Sequence, residues 1–223
     1  LNALTTDQFA GLSTGQIAAL STTQISTMES ADLAALTDAQ LAALSTKAIV
    51  SLDTSDVGAF TSTQLGALTT AQIAAIETAD LVKIGTTALG GLSTVQISAL
   101  STLQLGALAS DQLQSLTTDQ LAGLTTTQLA SLATDDLNML TSTQFEALSS
   151  AQIVGLSTQQ FNNLDSADLV AWSTAQIRAI ETRDLAALDS ADVAALTAEQ
   201  LAALTTTQLR AIETNDLAAV GAS

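Results

Sequence analysis

Seven pairs of acidic residues recur along the sequence, with the two acids of each pair three positions apart. The pairs are Glu29/Asp32, Asp53/Asp56, Glu77/Asp80, Asp165/Asp168, Glu181/Asp184, Asp189/Asp192 and Glu213/Asp216. Hard cations such as Ca²⁺ bind carboxylate oxygens, so these pairs could form a row of weak calcium sites. Alternatively, an acid near the start of a helix accepts backbone N–H groups and interacts favourably with the helix dipole. We favour this capping interpretation, because two carboxylates do not complete a calcium site without water or a neighbouring repeat.

Carboxylate pairs can also act as general acid and base, as they do in glycosidases. Seven near-identical pairs spread along one chain do not mark a single catalytic centre. The sequence has no Cys and no His, which excludes disulfides, thiolate or imidazole metal sites and Ser-His-Asp or Cys-His catalysis. We therefore expect no enzyme activity, and no cofactor other than weakly bound calcium.

Charge and hydropathy limit the partners further. There are 22 acidic and 5 basic residues, which gives a net charge of −17. The basic residues are Lys47, Lys83, Arg178, Arg183 and Arg210. With so few basic side chains, we do not expect the chain to bind nucleic acid. We expect these five side chains to be solvated. No apolar run approaches the roughly 18 residues of a membrane span, so we expect no membrane insertion.

An octapeptide repeat accounts for nearly the whole chain. From Leu4 onwards, 27 consecutive octapeptides follow the consensus L-[ST]-T-x-Q-[IL]-x-A without an insertion or deletion. The first and sixth positions are apolar in all 27 repeats, and the fifth position is Gln in 17 and Asp in 8. No composition shift divides the chain, which predicts a single repeat-array domain over residues 1–223. Neither end carries an atypical capping repeat, which is typical of a fragment of a longer array.

The eight-residue period predicts one short helix per repeat. In one continuous helix, each octapeptide would be rotated roughly 80° from the previous one, so the apolar positions would form no stripe. A β-solenoid is the alternative, but Ala, Leu and Gln dominate the second half of each repeat, and they favour helix. Short helices do not survive alone in water, whereas stacked repeats stabilise one another. We therefore predict an all-α solenoid of very short α- or 3₁₀-helices, with Trp172 in its core.

The start of each helix has two candidate caps. Ser or Thr at the second position and Gln at the fifth fit the S/T-x-x-Q capping box. The third position is more strictly Ser or Thr, being so in 25 repeats, and it is an alternative cap. Sequence alone leaves this choice open.

The acidic pairs also indicate how the repeats are stacked. Two sets recur in every third octapeptide, in those that begin at positions 28, 52 and 76 and at positions 164, 188 and 212. This spacing suggests three octapeptides per coil, with the acids stacked on one side of the solenoid. The pair Glu181/Asp184 departs from the spacing. The twelve acids of these two sets are the candidate metal ligands.

Octapeptides such as LTTAQIAA (68–75), LTTTQLAS (124–131) and LTAEQLAA (196–203) resemble the Thr/Ala/Gln-rich repeat arrays of large bacterial surface or secreted, adhesin-like proteins. This resemblance implies an extracellular or cell-surface spacer, stalk or fibre-forming region, and it brings no catalytic residues with it. The expected partners are flanking repeats of the same array, together with end-to-end association of identical chains. The alternative function is a binding module whose regular face recognises cations, a glycan or a protein.

Overall fold

Each octapeptide forms one short helix in the computed structural model, which describes residue 1 and residues 3–220. The chain divides into two compact units, Leu1–Leu116 and Thr117–Ser223. The helices of the first unit are α1 Thr6–Ala10, α2 Thr14–Ala18, α3 Thr22–Ser26, α4 Ser30–Ala34, α5 Asp38–Ala43, α6 Thr46–Val50, α7 Thr54–Gly58, α8 Ser62–Ala67, α9 Thr70–Ala75, α10 Thr78–Leu81, α11 Thr86–Leu89, α12 Thr94–Ser98, α13 Thr102–Leu105 and α14 Ser110–Ser115. Those of the second unit are α15 Thr118–Ala122, α16 Thr126–Ala130, α17 Thr134–Asn138, α18 Ser142–Glu146, α19 Ser150–Gly155, α20 Thr158–Phe161, α21 Ser166–Ala171, α22 Thr174–Ala179, α23 Thr182–Leu185, α24 Ser190–Ala195, α25 Ala198–Ala203, α26 Thr206–Ala211 and α27 Thr214–Val220.

The second position of the repeat caps the helix. In α19, the Gln152 backbone N–H donates to Ser149 Oγ over 3.3 Å, and the Ser149 N–H donates in return to Gln152 Oε1 over 2.8 Å. This reciprocal capping box recurs in most Gln repeats, and it satisfies two backbone donors at the helix start. The third position is the first helical residue, so the open choice between the two caps resolves in favour of the second position.

Within each unit, every third helix packs on the one before it. In the first unit α5 packs on α2 and α8, and in the second unit α22 packs on α19 and α25. Three octapeptides therefore make one coil, as the rhythm of the acidic pairs suggested. All the regular structure of the described residues is helical, which confirms the predicted helical solenoid over the β-solenoid alternative.

The two apolar positions of the repeat form the core of each unit. Sixth-position side chains such as Leu65 and Leu129 are completely buried, and first-position side chains such as Leu68 and Leu132 are nearly so. Trp172 is 2% exposed, as predicted. Its ring centroid lies 6.2 Å from that of Phe145 and 5.9 Å from that of Phe161.

Small residues at the eighth position allow neighbouring coils to approach closely. A Cβ atom added to Gly91 would lie 1.9 Å from the carbonyl oxygen of Ser62, and one added to Gly155 would lie 2.7 Å from Thr126 Cβ. The octapeptide register continues unchanged past residue 116. That the chain is a single array over residues 1–223 stays a prediction, since the two units are described separately.

Candidate functional site

The fifth-position glutamines tie successive coils together, a role that the sequence analysis missed. The Nε2 group of Gln40 donates to the carbonyl oxygens of Phe9, at 2.8 Å, and Leu12, at 2.7 Å. These carbonyls belong to the preceding coil, where the chain passes from α1 to α2. Meanwhile Gln40 Oε1 accepts the backbone N–H of Thr37 over 2.8 Å. One side chain therefore caps its own helix and bonds the coil before it.

The same arrangement, which we call a glutamine rung, recurs in both units. In each case Nε2 lies between 2.6 and 3.4 Å from one or both of the carbonyl oxygens 31 and 28 residues earlier. The glutamines with such bonds inside one unit are Gln40, Gln64, Gln72, Gln96, Gln104, Gln112, Gln152, Gln160, Gln176, Gln200 and Gln208. Their amides are buried and satisfied, so they stabilise the stack without an unpaired polar group.

One feature of the sequence could have revealed the rungs. A capping box accepts Glu as readily as Gln at this position. Yet Glu never occupies the fifth position in the 27 repeats, although Glu occurs elsewhere in the chain. A side chain long enough to reach the carbonyls of the preceding coil must therefore donate hydrogen bonds as well as accept them, which an ionised Glu cannot do.

Aspartate at the fifth position replaces this donor by an acceptor. Asp56, Asp184 and Asp192 are buried, and each accepts a hydroxyl hydrogen bond from the third-position residue 26 residues earlier. The donors are Ser30 to Asp56 at 2.8 Å, Thr158 to Asp184 at 2.7 Å, Ser166 to Asp192 at 2.9 Å and Ser190 to the half-buried Asp216 at 2.6 Å. These bonds explain one use of the Ser and Thr residues at the third position.

The second-position acids are exposed in all seven pairs, but they do not all cap their helices. Asp53 Oδ1 accepts the N–H groups of Ser55 and Asp56 over 2.8 and 2.9 Å, and Asp189 makes the same bonds in α24. By contrast, Glu29, Glu77, Asp165 and Glu181 make no side-chain cap hydrogen bond. The capping hydrogen bonds are therefore present for Asp53 and Asp189 and absent for these four acids, although each of the four is the N-cap residue of its helix.

Asp32 is the clearest departure from the capping interpretation. Asp56 accepts the N–H of its own N-cap residue, whereas Asp32 forms no capping box with Glu29. The Oδ2 atom of Asp32 is buried and has no hydrogen-bond partner within the described residues. The physical reason lies in the preceding coil: the corresponding third-position hydroxyl is Thr6, and it makes no bond to Asp32 like the one from Ser30 to Asp56. Asp32 was also a predicted metal ligand, but no two further acids converge on it among the described residues, so the structure completes no metal site there.

Cations do not neutralise most of these acids. Arg183 Nε lies 2.9 Å from Glu181 Oε2 and 3.4 Å from Asp184 Oδ1, and these are the ion pairs within the described residues. The other four basic side chains are exposed, as predicted.

Burial changes the acidity of three fifth-position carboxyls. Desolvation, with the nearby Asp165 charge second, raises the pKa of Asp168 to about 6. Desolvation also raises the pKa of Asp80, helped by the charges of Glu77 and Asp53. The pKa of Asp192 is raised by desolvation, although the hydrogen bond from Ser166 opposes the shift. The charge of Asp53 acts on Asp80 and that of Asp165 acts on Asp192, and in both cases the two acids belong to successive coils. The acids therefore stack on successive coils, as their spacing in the sequence indicated.

The candidate metal ligands do not form a complete cation site among the described residues, since no three acidic side chains converge there. The structure brings them together as stacked pairs: Glu29/Asp32, Asp53/Asp56 and Glu77/Asp80 on α4, α7 and α10, and Asp165/Asp168, Asp189/Asp192 and Glu213/Asp216 on α21, α24 and α27. Calcium binding by these acids stays a prediction.

The surface between coils has shallow depressions. One of about 520 Å³ in the second unit is lined by Glu146, Ser149, Ser150, Ala175 and Gln176 together with small and apolar neighbours. Glu146 is its one titratable side chain. Such a lining provides solvated hydroxyls and methyl groups, without an acid–base pair or a nucleophile activated by a base.

None of the described helices combines the length and the hydropathy needed to cross a membrane. The family model of the ALTTAQ repeat matches the chain seven times, at residues 1–30, 25–62, 33–70, 73–110, 129–166, 161–198 and 177–211. These segments together cover well over half of the sequence. No curated protein matches the chain.

Proposed function

Since the chain belongs to the ALTTAQ repeat family, we propose that it acts as a non-catalytic structural segment, a spacer or stalk in a bacterial surface or secreted protein. The single observation that carries this proposal is the uniformity of the glutamine rungs. The same side chain makes the same contact between coils in both units, so the repeat serves to stack identical coils rather than to build one special site.

The exposed surface supports the same role. The fourth position varies freely along the chain and shows no aromatic or basic cluster. Binding surfaces concentrate aromatic and arginine anchors in one patch. We also propose a surface or secreted location. The resemblance of the octapeptides to repeat arrays of surface proteins and the absence of Cys are compatible with it.

Stacked coils also provide a way to form fibres. Glutamine Nε2 donors lie on one face of a coil, and carbonyl acceptors lie on the opposite face. Two arrays that joined end to end would therefore join head to tail, as heterologous contacts do in open assemblies. Light scattering over a concentration series tests end-to-end association. A chain that stays monomeric at every concentration would contradict fibre formation but not the spacer role.

The spacer role is tested by removing one coil. Because the chain has no Cys, dyes can be attached to cysteines introduced at Thr118 and Thr214 in the second unit. We expect deletion of residues 140–163, one full coil, to shorten the distance between the dyes by about 8–10 Å, the spacing of packed helices. The absolute distance separates the two cases. Thr118 and Thr214 are 96 residues apart, which is four coils, so a stack predicts a distance of about 32–40 Å. A flexible chain of that length would span about 50–60 Å with a broad distribution, and that result would contradict the proposal.

A further inference from the structure

Asp168 is a buried carboxylate without a partner. It is 6% exposed, yet its side chain has no hydrogen bond or ion pair within the described residues. Asp192, one coil later, differs because it accepts the hydroxyl of Ser166. The corresponding hydroxyl for Asp168 would be Ser142, which makes no such bond. A carboxylate that is largely removed from water and has no hydrogen-bond partner is disfavoured in its charged form, so a positive group would stabilise it.

The preceding coil presents acceptors at the same point. By the register of the other rungs, a glutamine in place of Asp168 would donate to the carbonyl oxygens of Leu137 and Leu140. The Leu137 carbonyl still accepts the Leu140 N–H over 3.1 Å, whereas the Leu140 carbonyl has no hydrogen bond within the described residues. Aspartate is one methylene shorter than glutamine, so by this register its oxygens would stop short of these carbonyls by roughly one C–C bond, about 1.5 Å. By this register, the Asp168 carboxylate and the two carbonyl oxygens would face one another between the two coils, all of them as hydrogen-bond acceptors.

Within the described part of the second unit, no basic side chain fills this gap. Helices α18 and α24 pack on α21, and their charged residues are Glu146, Asp189 and Asp192, with Asp165 at the N-cap of α21 itself. Asp165 is exposed and makes no cap hydrogen bond. Across the chain, an acid at the second position accompanies Asp at the fifth in 7 of 8 cases. Asp165 and Asp168 also lack the capping hydrogen bonds that Asp189 makes one coil later. Like charges in one helical turn repel, so a counter-charge would stabilise this pair.

We propose that Asp168 and the carbonyl oxygens of Leu137 and Leu140 bind a hard divalent cation of the Ca²⁺ type, with Asp165 at its outer edge. The ion would stand in the stack where other repeats place the glutamine amide. Two acids supply the charge for a divalent ion. Carboxylate and carbonyl oxygens together with water suit Ca²⁺, which accepts irregular geometry, better than Mg²⁺, which needs near-ideal octahedral geometry. With so few protein ligands the site belongs to the weak class, with a dissociation constant of about 10⁻⁴–10⁻³ M.

The test uses Tb³⁺ as a luminescent substitute for Ca²⁺, excited through Trp172. Trp172 is the single tryptophan of the chain and directly follows α21, so it reports ions near Asp168 selectively. The test variant is Asp168→Gln, which inserts the residue found in most repeats and is expected to fold. The matched control is Asp184→Asn, because Asp184 already has Thr158 and Arg183 as partners. Far-UV circular dichroism checks that both variants remain helical.

We expect saturable Trp-sensitised Tb³⁺ luminescence that Ca²⁺ displaces in the wild-type chain. Asp168→Gln should weaken it at least tenfold, and Asp184→Asn less than twofold. Absence of saturable Tb³⁺ luminescence, or no displacement of Tb³⁺ by Ca²⁺ up to about 10 mM, beyond the weak range, would overturn the proposal. Equal losses in both variants would overturn it as well, because they would indicate a diffuse counter-ion atmosphere. An NMR titration of the Asp168 carboxyl that is unchanged by Ca²⁺ would also overturn the proposal, because the carboxyl would then bind a proton and no cation. The spacer proposal survives each of these outcomes, because it depends on the glutamine rungs.

Discussion

Removing one glutamine rung should destabilise the second unit far more than removing the glutamine beside it. Gln159 and Gln160 are consecutive in α20, but Gln159 is exposed and Gln160 is 2% exposed. Gln160 Nε2 donates to the carbonyls of Leu129 and Leu132 over 3.1 and 3.0 Å, and its Oε1 accepts the Ser157 N–H over 2.9 Å. Methionine has nearly the same length and volume without these hydrogen-bonding groups, so Gln160→Met removes the rung, and Gln159→Met is the matched control.

The magnitude follows from the groups left unpaired. The Leu129 carbonyl keeps the Leu132 N–H, at 3.2 Å, so it costs little. The Leu132 carbonyl loses its partner in a buried position, and the Ser157 N–H loses its partner near the surface. A buried polar group left unsatisfied costs about 1–3 kcal/mol, so Gln160→Met should lower the free energy of unfolding by about 2–4 kcal/mol. A substitution at the exposed Gln159 should change it by about 0.5 kcal/mol or less.

Urea unfolding followed by the fluorescence of Trp172 measures this difference, because Trp172 packs against Phe161 at the end of α20. Gln160→Glu provides a second reading. Its carboxylate would face two carbonyl oxygens at neutral pH and should be at least as destabilising there, whereas its protonated form at low pH can again donate one hydrogen bond. Equal stabilities of Gln160→Met and Gln159→Met would refute the reasoning that the rungs hold the coils together.

Three further predictions concern other positions. Gly91→Ala should lower the melting temperature of the first unit, with an overpacking cost of about 1–3 kcal/mol, because the new Cβ would lie 1.9 Å from the Ser62 carbonyl oxygen. In the control Gly15→Ala, the new Cβ would meet nothing closer than 4.0 Å. Circular dichroism should show its melting temperature unchanged or raised. Asp168→Gln should stabilise the second unit by about 1–2 kcal/mol at pH 7 in EDTA, because it adds a rung; urea midpoints equal to wild type would contradict this. The pKa of Asp168 is raised in the folded state to about 6 from its ordinary value of 3.8, so folding takes up a proton between these two pH values. The stability of the wild type relative to Asp168→Asn should therefore fall as pH rises through that range, by up to about 3 kcal/mol at 1.36 kcal/mol per pKa unit. A stability difference that does not change with pH would contradict this prediction.

The local structure could be predicted from the sequence because it depends on spacing within one repeat. The Ser149-x-x-Gln152 pattern specifies a capping box, and paired apolar residues such as Ile153 and Leu156 lie on one side of a helical turn. The recurrence of acidic pairs in every third octapeptide suggested three helices per coil, although the pair Glu181/Asp184 departs from it. These features follow from the chain's own short-range geometry.

The contacts between coils could not be predicted in the same way. The bond from Gln160 to the Leu132 carbonyl depends on how far each coil advances over the last, which the octapeptide period does not specify. The bond from Ser166 to Asp192 depends on it equally. The acidic pairs were therefore interpreted within their own helices, and the unpartnered positions of Asp32 and Asp168 emerged only when the preceding coil was in place.

Scalar coupling across hydrogen bonds tests most directly whether the glutamines bond the coil before them. In a ¹³C,¹⁵N-labelled chain, we expect a coupling between Gln160 Nε2 and the carbonyl carbon of Leu132 in the preceding coil, and none from Gln159. The same pattern should recur from Gln152 to Leu124. Couplings to carbonyls within the same or the adjacent octapeptide, or equal solvent exchange of the Gln159 and Gln160 side-chain amides, would contradict bonding between coils.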